Sequence, residues 1–284
     1  MLEVVRSIEE MQEKASAVRA AGKQVGAVPT MGALHEGHLS LITLCRRHAD
    51  VVVTTLFVNP TQFGVGEDFD RYPRDLERDT RRAAEAGTDF LFVPGRAMMY
   101  PAEYVTYVNV EKLTDGLEGR SRPGHFRGVT TVLAKLFHIV QPHVAVFGQK
   151  DAQQVAVIRR MVRDLNFDVR VVIAPIVREP DGLAMSSRNV FLTEQQRAEA
   201  PVLYRSLRVA EDLIRGGERR SAVLIERMRE MITARSSGAI DYISIADEEN
   251  LEELPAISEG SGVLVSLAVL FGTTRLIDNI VVRS

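Results

Sequence analysis

The sequence contains no tryptophan and only one cysteine, and the shortage of cysteine excludes one class of protein. One thiol cannot form a disulfide within the chain, so a small secreted scaffold held by disulfides is excluded. A reducing, cytoplasmic setting fits this cysteine usage. Cys45 follows Leu39 and Ile42 at helical spacing, which predicts a buried structural thiol rather than a nucleophile.

Long apolar runs and a strong excess of one charge are also missing. No run of about 18 apolar residues occurs, so no membrane-spanning helix is expected, and the charged segment 1–14 has no apolar signal core. The formal net charge of −3 gives no support for a nucleic-acid partner. The composition is ordinary for a globular protein, and 284 residues suffice for about two domains.

Strand-like and helix-like signals alternate over residues 1–176. Strands are predicted at 25–29, 51–58, 90–93, 143–147 and 169–173. Helices are predicted at 73–86, around 129–140 and around 155–165. The first of these ends at Gly87 and is expected to be exposed, because it is highly charged. This alternation predicts an α/β fold with a doubly wound, Rossmann-like parallel sheet, whose ligands lie beyond the carboxyl ends of the strands. The loops predicted at that edge are 30–38, 59–64 and 148–151.

The pattern changes after Pro175. Thr193 and Gln196 form a capping box that opens a predicted helix reaching Ile214. A second helix is predicted near 221–234, and strands are predicted at 240–245, 262–270 and 275–282. We therefore expect a first domain over 1–176 and a smaller α+β lid domain over 177–284, with 177–189 as a mobile hinge or lid.

The most informative motif is the segment Thr30–His38, which reads T-M-G-A-L-H-E-G-H where a strand gives way to a helix. A helix start favours phosphate, Gly37 allows close approach, and the imidazoles can donate hydrogen bonds to developing negative charge. A polar surface loop is the alternative. A zinc hydrolase is disfavoured, because zinc-protease histidines lie four residues apart, whereas these lie three apart with a glycine between them.

Four further segments carry groups suited to anionic ligands, and each also has a plain structural interpretation. Lys150, in Gly148–Asp151, can neutralise phosphate, or it can form a solvated ion pair with Asp151. Arg188, after Met185–Ser187, can bind phosphate oxygens in bidentate fashion, or the segment can be a polar linker. The amides of Asn59 and Gln62 can orient a ligand or simply cap a loop. The segment Arg120–Arg127 contributes three arginines, which can shape an electropositive cleft or only decorate a surface.

The joint order of these motifs resembles the nucleotidyltransferase superfamily that includes the class I aminoacyl-tRNA synthetases. M-S-S-R at 185–188 resembles a variant of that superfamily's second signature, with Arg188 where lysine is common. The wider strings resemble one family over essentially the full length, the pantoate–β-alanine ligases. Those strings are 29–38, 57–64, 122–126, 147–154, 181–189 and 272–279.

The resemblance implies a reaction and its participants. ATP would drive the condensation of (R)-pantoate with β-alanine through a pantoyl adenylate, releasing AMP and pyrophosphate, with Mg²⁺ on the polyphosphate. The implied partners are these small molecules, and the implied assembly is a homodimer formed through the first domain. Neither a nucleic acid nor a membrane is expected as a partner.

The resemblance also implies roles for the matching positions. His38 would be a proton donor, and His35, Lys150 and Arg188 would neutralise phosphate. Residues implied to bind ATP are Met31, Gly32, Ala33, Leu34, His35, Glu36, Gly37, His38, Gly148, Gln149, Lys150, Asp151, Val177 through its backbone, Met185, Ser186, Ser187 and Arg188. Residues implied to bind pantoate or β-alanine are Gln62, Gln154, Asn59 and Arg122. Gln149 stands where many members have glutamate, and no Mg²⁺ ligand is assigned, because the acidic residues near Asp79 do not align with a metal site.

Two other classes of function remain open at this point. An adenylyltransferase for pantetheine phosphate or nicotinamide mononucleotide would resemble only the first two-thirds, so the second domain and the 59–64 loop argue against it. A non-catalytic nucleotide-binding or RNA-binding module would lack a pyrophosphate-producing activity, and the net charge of −3 disfavours RNA.

Overall fold

The structure is a computed structural model that describes residues 2–64, 66–67 and 69–283, and it divides into two compact units. The first unit extends to Gly148 and also includes Val157–Pro175. Over the described residues its centre is a six-stranded sheet of β1 Glu3–Val5, β2 Val25–Thr30, β3 Val51–Leu56, β4 Phe90–Phe92, β5 Val144–Gly148 and β6 Arg170–Ala174. The helices of this part of the chain are α1 Ile8–Ala20, α2 Glu36–Arg46, α3 Leu76–Ala86, α4 Arg96–Met99, α5 Leu117–Ser121, α6 His125–Val140 and α7 Ala152–Asp164.

The strand order confirms the doubly wound sheet. Its order is β1-β4-β3-β2-β5-β6, and every neighbouring pair is parallel. From β2 the chain runs outward through β3 and β4 on one side and through β5 and β6 on the other. The order therefore reverses between β2 and β5, and ligands of such sheets bind beyond the carboxyl ends of the strands at this point.

The inner strands are apolar because both faces of the sheet are covered. Gly26 in β2 has no room for a side chain, since a Cβ there would lie 2.4 Å from Cys45 Sγ. Cys45 is fully buried, and burial raises the pKa of its thiol to about 12. The thiol is therefore protonated and structural, as its spacing predicts.

The charged helix α3 is shorter and less exposed than its sequence predicts. It begins at Leu76 rather than at Pro73, because Asp75 caps it by accepting a hydrogen bond from Arg78 N at 3.0 Å. It ends, as predicted, at Gly87, whose φ of 102° is left-handed. The prediction of an exposed helix was wrong at Asp79, which is only 2% exposed. Neither β1 nor α1 was predicted.

The second unit consists of Gln149–Ala156 and the chain from Ile176 onward. Its helices are α8 Glu194–Glu199, α9 Val202–Arg215 and α10 Ser221–Arg235, and its strands are β7 Ala239–Asp247, β8 Gly262–Phe271 and β9 Thr274–Arg283. These strands form an antiparallel sheet in the order β7-β8-β9. Leu207, Met228 and Leu267 belong to the apolar core of this unit. The predicted α+β character is confirmed.

Two details of the second unit differ from the predictions. The capping box of Thr193 and Gln196 is present, but the continuous helix predicted from it is wrong, because it breaks at Pro201, which has no N–H to continue the hydrogen-bond ladder. The sequence-based boundary placed 149–156 in the first domain, whereas the structure groups these residues with the second unit. Two hydrogen bonds from the side chain of Asn279 to the carbonyls of Gln149 and Lys150 link this segment to β9. None of the helices in the described part of the chain is both long and apolar enough to cross a membrane.

Candidate active site

The turn after β2 is held by two hydrogen bonds of the Thr30 hydroxyl, one to β3 and one within the turn. The hydroxyl of Thr30 donates to Thr55 O at 2.7 Å and accepts from Gly32 N at 3.2 Å. Gly32 then adopts a left-handed φ of 90°, which favours glycine, and Ala33 follows at 52°. The strand is thereby turned sharply into α2.

A buried carboxylate on α3, that of Asp79, holds this turn by hydrogen bonds to its backbone. Asp79 accepts a hydrogen bond from Ala33 N at Oδ2 and one from Leu34 N at Oδ1, both at 2.8 Å. A Cβ on Gly32 would lie only 3.0 Å from Asp79 Oδ2, so the residue must also be small. Sequence reasoning missed Asp79, because a carboxylate in a highly charged helix gives no sign that it is buried.

The two histidines cap α2 reciprocally. His35 Nδ1 accepts from Gly37 N at 3.2 Å, and His38 Nδ1 accepts from His35 N at 3.3 Å. Their ring centroids lie 4.1 Å apart. A neutral imidazole whose Nδ1 accepts must carry its proton on Nε2, so Nε2 is the donor nitrogen of each ring.

The capping determines which N–H groups at the start of α2 could donate a hydrogen bond to a phosphate. Besides Gly37 N, the N–H groups of His38 and Leu39 are bonded to His35 O, at 2.8 and 3.1 Å. Glu36 forms an ion pair with Arg82 on α3. These backbone N–H groups already have acceptors within the protein, and a neutral imidazole at either histidine carries its proton on Nε2.

Asn59 and Gln62 are both buried, and Asn59 determines how Gln62 is oriented. Asn59 Nδ2 donates to Gln62 Oε1 at 3.1 Å and to Gly128 O at 3.0 Å, and its Oδ1 accepts from the hydroxyl of Thr61 at 2.9 Å. Gln62 Nε2 lies 3.1 Å from Met31 Sδ, so its N–H donors face the turn. Asn59 therefore fixes the orientation of the Gln62 side-chain amide.

Arg122 also contacts Gln62, at the backbone carbonyl of Gln62. Its guanidinium forms a bidentate pair with Glu67, at 2.8 and 2.7 Å, and approaches Gln62 O at 3.3 Å. His125 Nδ1 lies 2.8 Å from the same carbonyl, which makes Nδ1 the donor and Nε2 the acceptor from Arg122 at 3.1 Å. Burial alone would raise the pKa of Glu67, but its bonds to Arg122 outweigh this and lower it. The arginines of 120–127 therefore do not all face a ligand, and Arg127 stacks on Tyr107 at 3.8 Å.

A cavity of 280 Å³ adjoins the start of the turn, where Met31 and Gly32 line it together with Asp79. Its lining also includes two arginines and a second aspartate, which are Arg74, Arg96 and Asp75. His35, His38 and Gln62 are not among its lining residues, so the cavity is not the place where these three side chains meet.

In the second unit, Gln149–Asp151 forms a single 3-10 turn before α7, on whose first turn Gln154 lies. Lys150 Nζ is 3.9 Å from Asp151 Oδ1, and the Lys150 side chain is largely buried whereas Asp151 is half exposed. Asn279 holds the turn by its side chain, and Gln149 Nε2 returns a bond to Asn279 Oδ1 at 3.1 Å.

The segment predicted as a mobile loop is hydrogen-bonded as a small hairpin. Glu179 N donates to Leu183 O at 2.8 Å, and Met185 N donates to Val177 O at 3.0 Å. Ser186 then caps a 3-10 turn by accepting from Arg188 N at 3.2 Å. Residues 185–189 are half-buried, including Ser187 and Arg188.

In the first unit, hydrogen bonds connect Met31 with Gln62, and Gln62 with Asn59 and Arg122. In the second unit, the 149–151 turn is bonded to Asn279, and Val177 is bonded to Met185 in the hairpin that precedes 186–188. Sequence reasoning missed Asp79, Glu67 and Asn279, which hold these groups in place. Among the described residues, no group of three or more histidine, cysteine, aspartate or glutamate side chains could hold a metal ion.

A doubly wound parallel sheet with two histidines in the turn at its switch point defines the class as an α/β protein that binds its ligand beyond the carboxyl ends of its strands. The sequence model of the pantoate–β-alanine ligase family matches residues 3–281. The chain therefore belongs to this family, and its activity is the ATP-dependent condensation of pantoate with β-alanine.

Known pantothenate synthetases are similar to this chain over nearly its full length, in sequence and in structure. Pantothenate synthetase of Moorella thermoacetica is 55% identical over 99% of this chain and 99% of its own length, and that of Heliobacterium modesticaldum is 56% identical over 99% and 100%. The crystal structure of pantothenate synthetase from Thermus thermophilus matches with a TM-score of 0.90 at 48% identity, over 98% and 99% of the two chains. That of the pantoate–β-alanine ligase from Francisella tularensis, complexed with β-γ ATP and β-alanine, matches at 0.81 and 32%, over 99% and 97%.

Proposed function

We propose that the turn Met31–His38 and Gln62 carry the first step, in which a pantoate carboxylate oxygen attacks the α-phosphorus of ATP. A bond forms from that oxygen to phosphorus, the bond from phosphorus to the β-bridging oxygen breaks, and pyrophosphate leaves. The observation that carries the proposal is the reciprocal cap, which makes Nε2 the donor nitrogen of both His35 and His38. Donors fixed before the reaction stabilise developing charge without reorganisation.

Gln62 is proposed to hold pantoate by its amide N–H donors, which Asn59 orients by occupying the amide oxygen. Arg122 is proposed to act by fixing the backbone of Gln62 rather than by binding pantoate itself. Gln154 is proposed as a second pantoate residue. Positioning of this kind raises the effective concentration of the attacking carboxylate.

In the second unit, Lys150 and Arg188 are proposed to neutralise the β- and γ-phosphates. Gln149, Asp151, Val177 and Met185–Ser187 of the same unit, and Gly148 at the end of β5 in the first unit, are proposed to complete the ATP contacts.

The second step does not involve the phosphorus atom of ATP. The β-alanine amine attacks the acyl carbon of the adenylate, the bond from that carbon to the AMP oxygen breaks, and the amine loses a proton. Adenylation is needed because a free carboxylate is a poor acyl donor.

Mg²⁺ is proposed to accompany ATP on its phosphates, where it would neutralise charge. The described residues offer no cluster of ligands for it, so no protein ligand is assigned and no step depends on it. A homodimer formed through the first unit and a cytoplasmic location are also proposed, the first from the family resemblance and the second from the cysteine usage.

The release of AMP and pyrophosphate tests the function. With pantoate, β-alanine and ATP together, we expect AMP, pyrophosphate and pantothenate in equal amounts, and without pantoate we expect none. An adenylyltransferase would show no AMP release that depends on β-alanine, and a binding module would release no pyrophosphate. Either result would overturn the proposal.

A further inference from the structure

The side chains of Asp278 and Asn279 in β9 bond to two other segments of the second unit. The two residues are 2% and 3% exposed. Successive residues of a strand point to opposite faces, so the two side chains can each hold a different segment. Neither side chain has a part in the reaction steps above.

The side-chain amide of Asn279 forms all its hydrogen bonds with the turn Gln149–Asp151, called the Lys150 turn below. Its Nδ2 donates to Gln149 O at 3.0 Å and to Lys150 O at 2.9 Å, and its Oδ1 accepts from Gln149 Nε2 at 3.1 Å. An amide has two N–H donors, so both are satisfied by neighbouring carbonyls of one turn. The backbone that carries Lys150 is therefore fixed to β9.

Asp278 performs the corresponding task for the hairpin that leads to Met185–Arg188. It pairs with Arg178 in bidentate fashion, at 2.6 and 2.9 Å. Arg178 also donates to Gly182 O at 3.1 Å and stacks on the ring of Tyr204 at 3.8 Å. Burial raises the pKa of Asp278, and the guanidinium of Arg178 acts in the opposite direction. Arg178 also donates to the backbone carbonyl of Asn279 at 3.4 Å, so the base of the hairpin is fixed to β9 at both residues, through the Asp278 side chain and the Asn279 backbone.

We infer that Asp278 and Asn279 are positioning residues that hold the Lys150 turn and the base of the 178–185 hairpin on one strand. The second unit then presents Lys150 and Arg188 at a constant spacing, as one clamp for the β- and γ-phosphates of ATP. The inference rests on the proposed function of Lys150 and Arg188.

The alternative is that Asn279 only stabilises the sheet, and Ser266 offers a matched control for it. Ser266 is the register partner of Asn279 on β8 and is 5% exposed. Its hydroxyl has no hydrogen-bond partner within the described part of the chain. Ser266→Ala therefore changes a buried polar group beside Asn279 without releasing the Lys150 turn.

The informative variant is Asn279→Asp, which keeps the shape and one acceptor oxygen. It replaces the two N–H donors by an oxygen that faces two carbonyl oxygens, so the turn is released. Calorimetric titration should show an ATP affinity lowered about tenfold, an AMP affinity lowered less than about threefold, and a pantoate affinity within about twofold of wild type. Ser266→Ala should bind all three like wild type. If Asn279→Asp does not fold, Asn279→Ala removes the same donors without adding charge and is measured instead.

A double-mutant cycle with Lys150→Ala separates positioning from general stability. If Asn279 acts through Lys150, the aspartate variant should weaken ATP by less than about twofold in the Lys150→Ala background. Equal losses for ATP and AMP, or the same loss in both backgrounds, would overturn the inference. If Lys150→Ala weakens ATP but Asn279→Asp binds it like wild type, only the inference fails. If Lys150→Ala itself leaves ATP affinity unchanged, the assignment of Lys150 is wrong and the inference falls with it.

Discussion

At the residue scale, the proposed chemistry depends on which ring nitrogen of His35 and His38 carries the proton. Each Nδ1 faces a backbone N–H, so a neutral ring must be protonated at Nε2. The same bonds that cap α2 therefore prepare the two donors. This is why a helix start rich in histidine can serve both local structure and charge stabilisation.

Replacing His38 by alanine should lower the rate of adenylate formation by roughly 10²–10³-fold, the usual scale for losing one fixed transition-state donor. The measurement is single-turnover formation of pyrophosphate from ATP and pantoate. His138→Ala is the control, because His138 is an exposed histidine on α6. Full single-turnover activity in a folded His38→Ala protein would exclude His38 from this role.

The pair of Glu67 and Arg122 should make stability depend on pH in a particular window. The folded-state pKa of Glu67 lies below its ordinary value of 4.5. Its contribution is therefore fully present above about pH 4.5 and is lost as the pH falls through the folded-state pKa. Compared with Glu67→Gln, the wild type should have a higher unfolding temperature at pH 7, and the gap should narrow below pH 4.5. A gap that is constant or grows on acidification would contradict this account.

At the scale of elements, α3 acts on the β2–α2 turn through Asp79. Asp79→Asn should lower adenylate formation about tenfold or more, because one of its two acceptors becomes an N–H₂ group that faces a backbone N–H. Asp75→Asn in the same helix should leave the rate unchanged, since asparagine caps a helix as well as aspartate does. Single-turnover rates with circular dichroism check both. An unchanged rate for Asp79→Asn would show that the turn keeps its shape without the pair of hydrogen bonds to the Asp79 carboxylate.

Helix α6 acts on the Asn59–Gln62 turn through Gly128. A Cβ on Gly128 would lie 2.3 Å from Thr61 O and 2.6 Å from Gln62 N. Gly128→Ala should therefore weaken pantoate about tenfold or more while ATP changes less, although alanine alone favours a helix over glycine by about 1 kcal/mol. Gly95→Ala is the control, because its Cβ would meet no described atom within 4 Å. Equal losses of pantoate and ATP affinity would contradict the proposed task of Gln62.

At the scale of the whole molecule, the sequence predicts those features that have local signals. The strand-to-helix junction before His38, the left-handed Gly87 and the capping box at Thr193 all depend on residues within a few positions of one another, and the structure confirms them. The alternation of signals also predicts the doubly wound sheet, because such strands must be covered by helices on both faces.

Contacts between distant parts of the sequence could not be predicted in the same way. Asp79 bonds to backbone groups 45 and 46 residues away, and Asn279 to groups 129 and 130 residues away. Neither residue type in its own segment indicates burial. The residues that the resemblance implies for substrate binding stay predictions, whereas Asp79 and Asn279, which hold parts of the proposed site in place, were not predicted.

The central claim is attack at the α-phosphorus, and the fate of a carboxylate oxygen tests it most directly. Pantoate labelled with oxygen-18 in its carboxylate is turned over with ATP and β-alanine, and the products are examined by mass spectrometry. The account predicts one labelled oxygen in AMP, because that oxygen bridges carbon to phosphorus in the adenylate and leaves with AMP. Label in inorganic phosphate with ADP as product, or unlabelled AMP, would contradict the account even if pantothenate were formed.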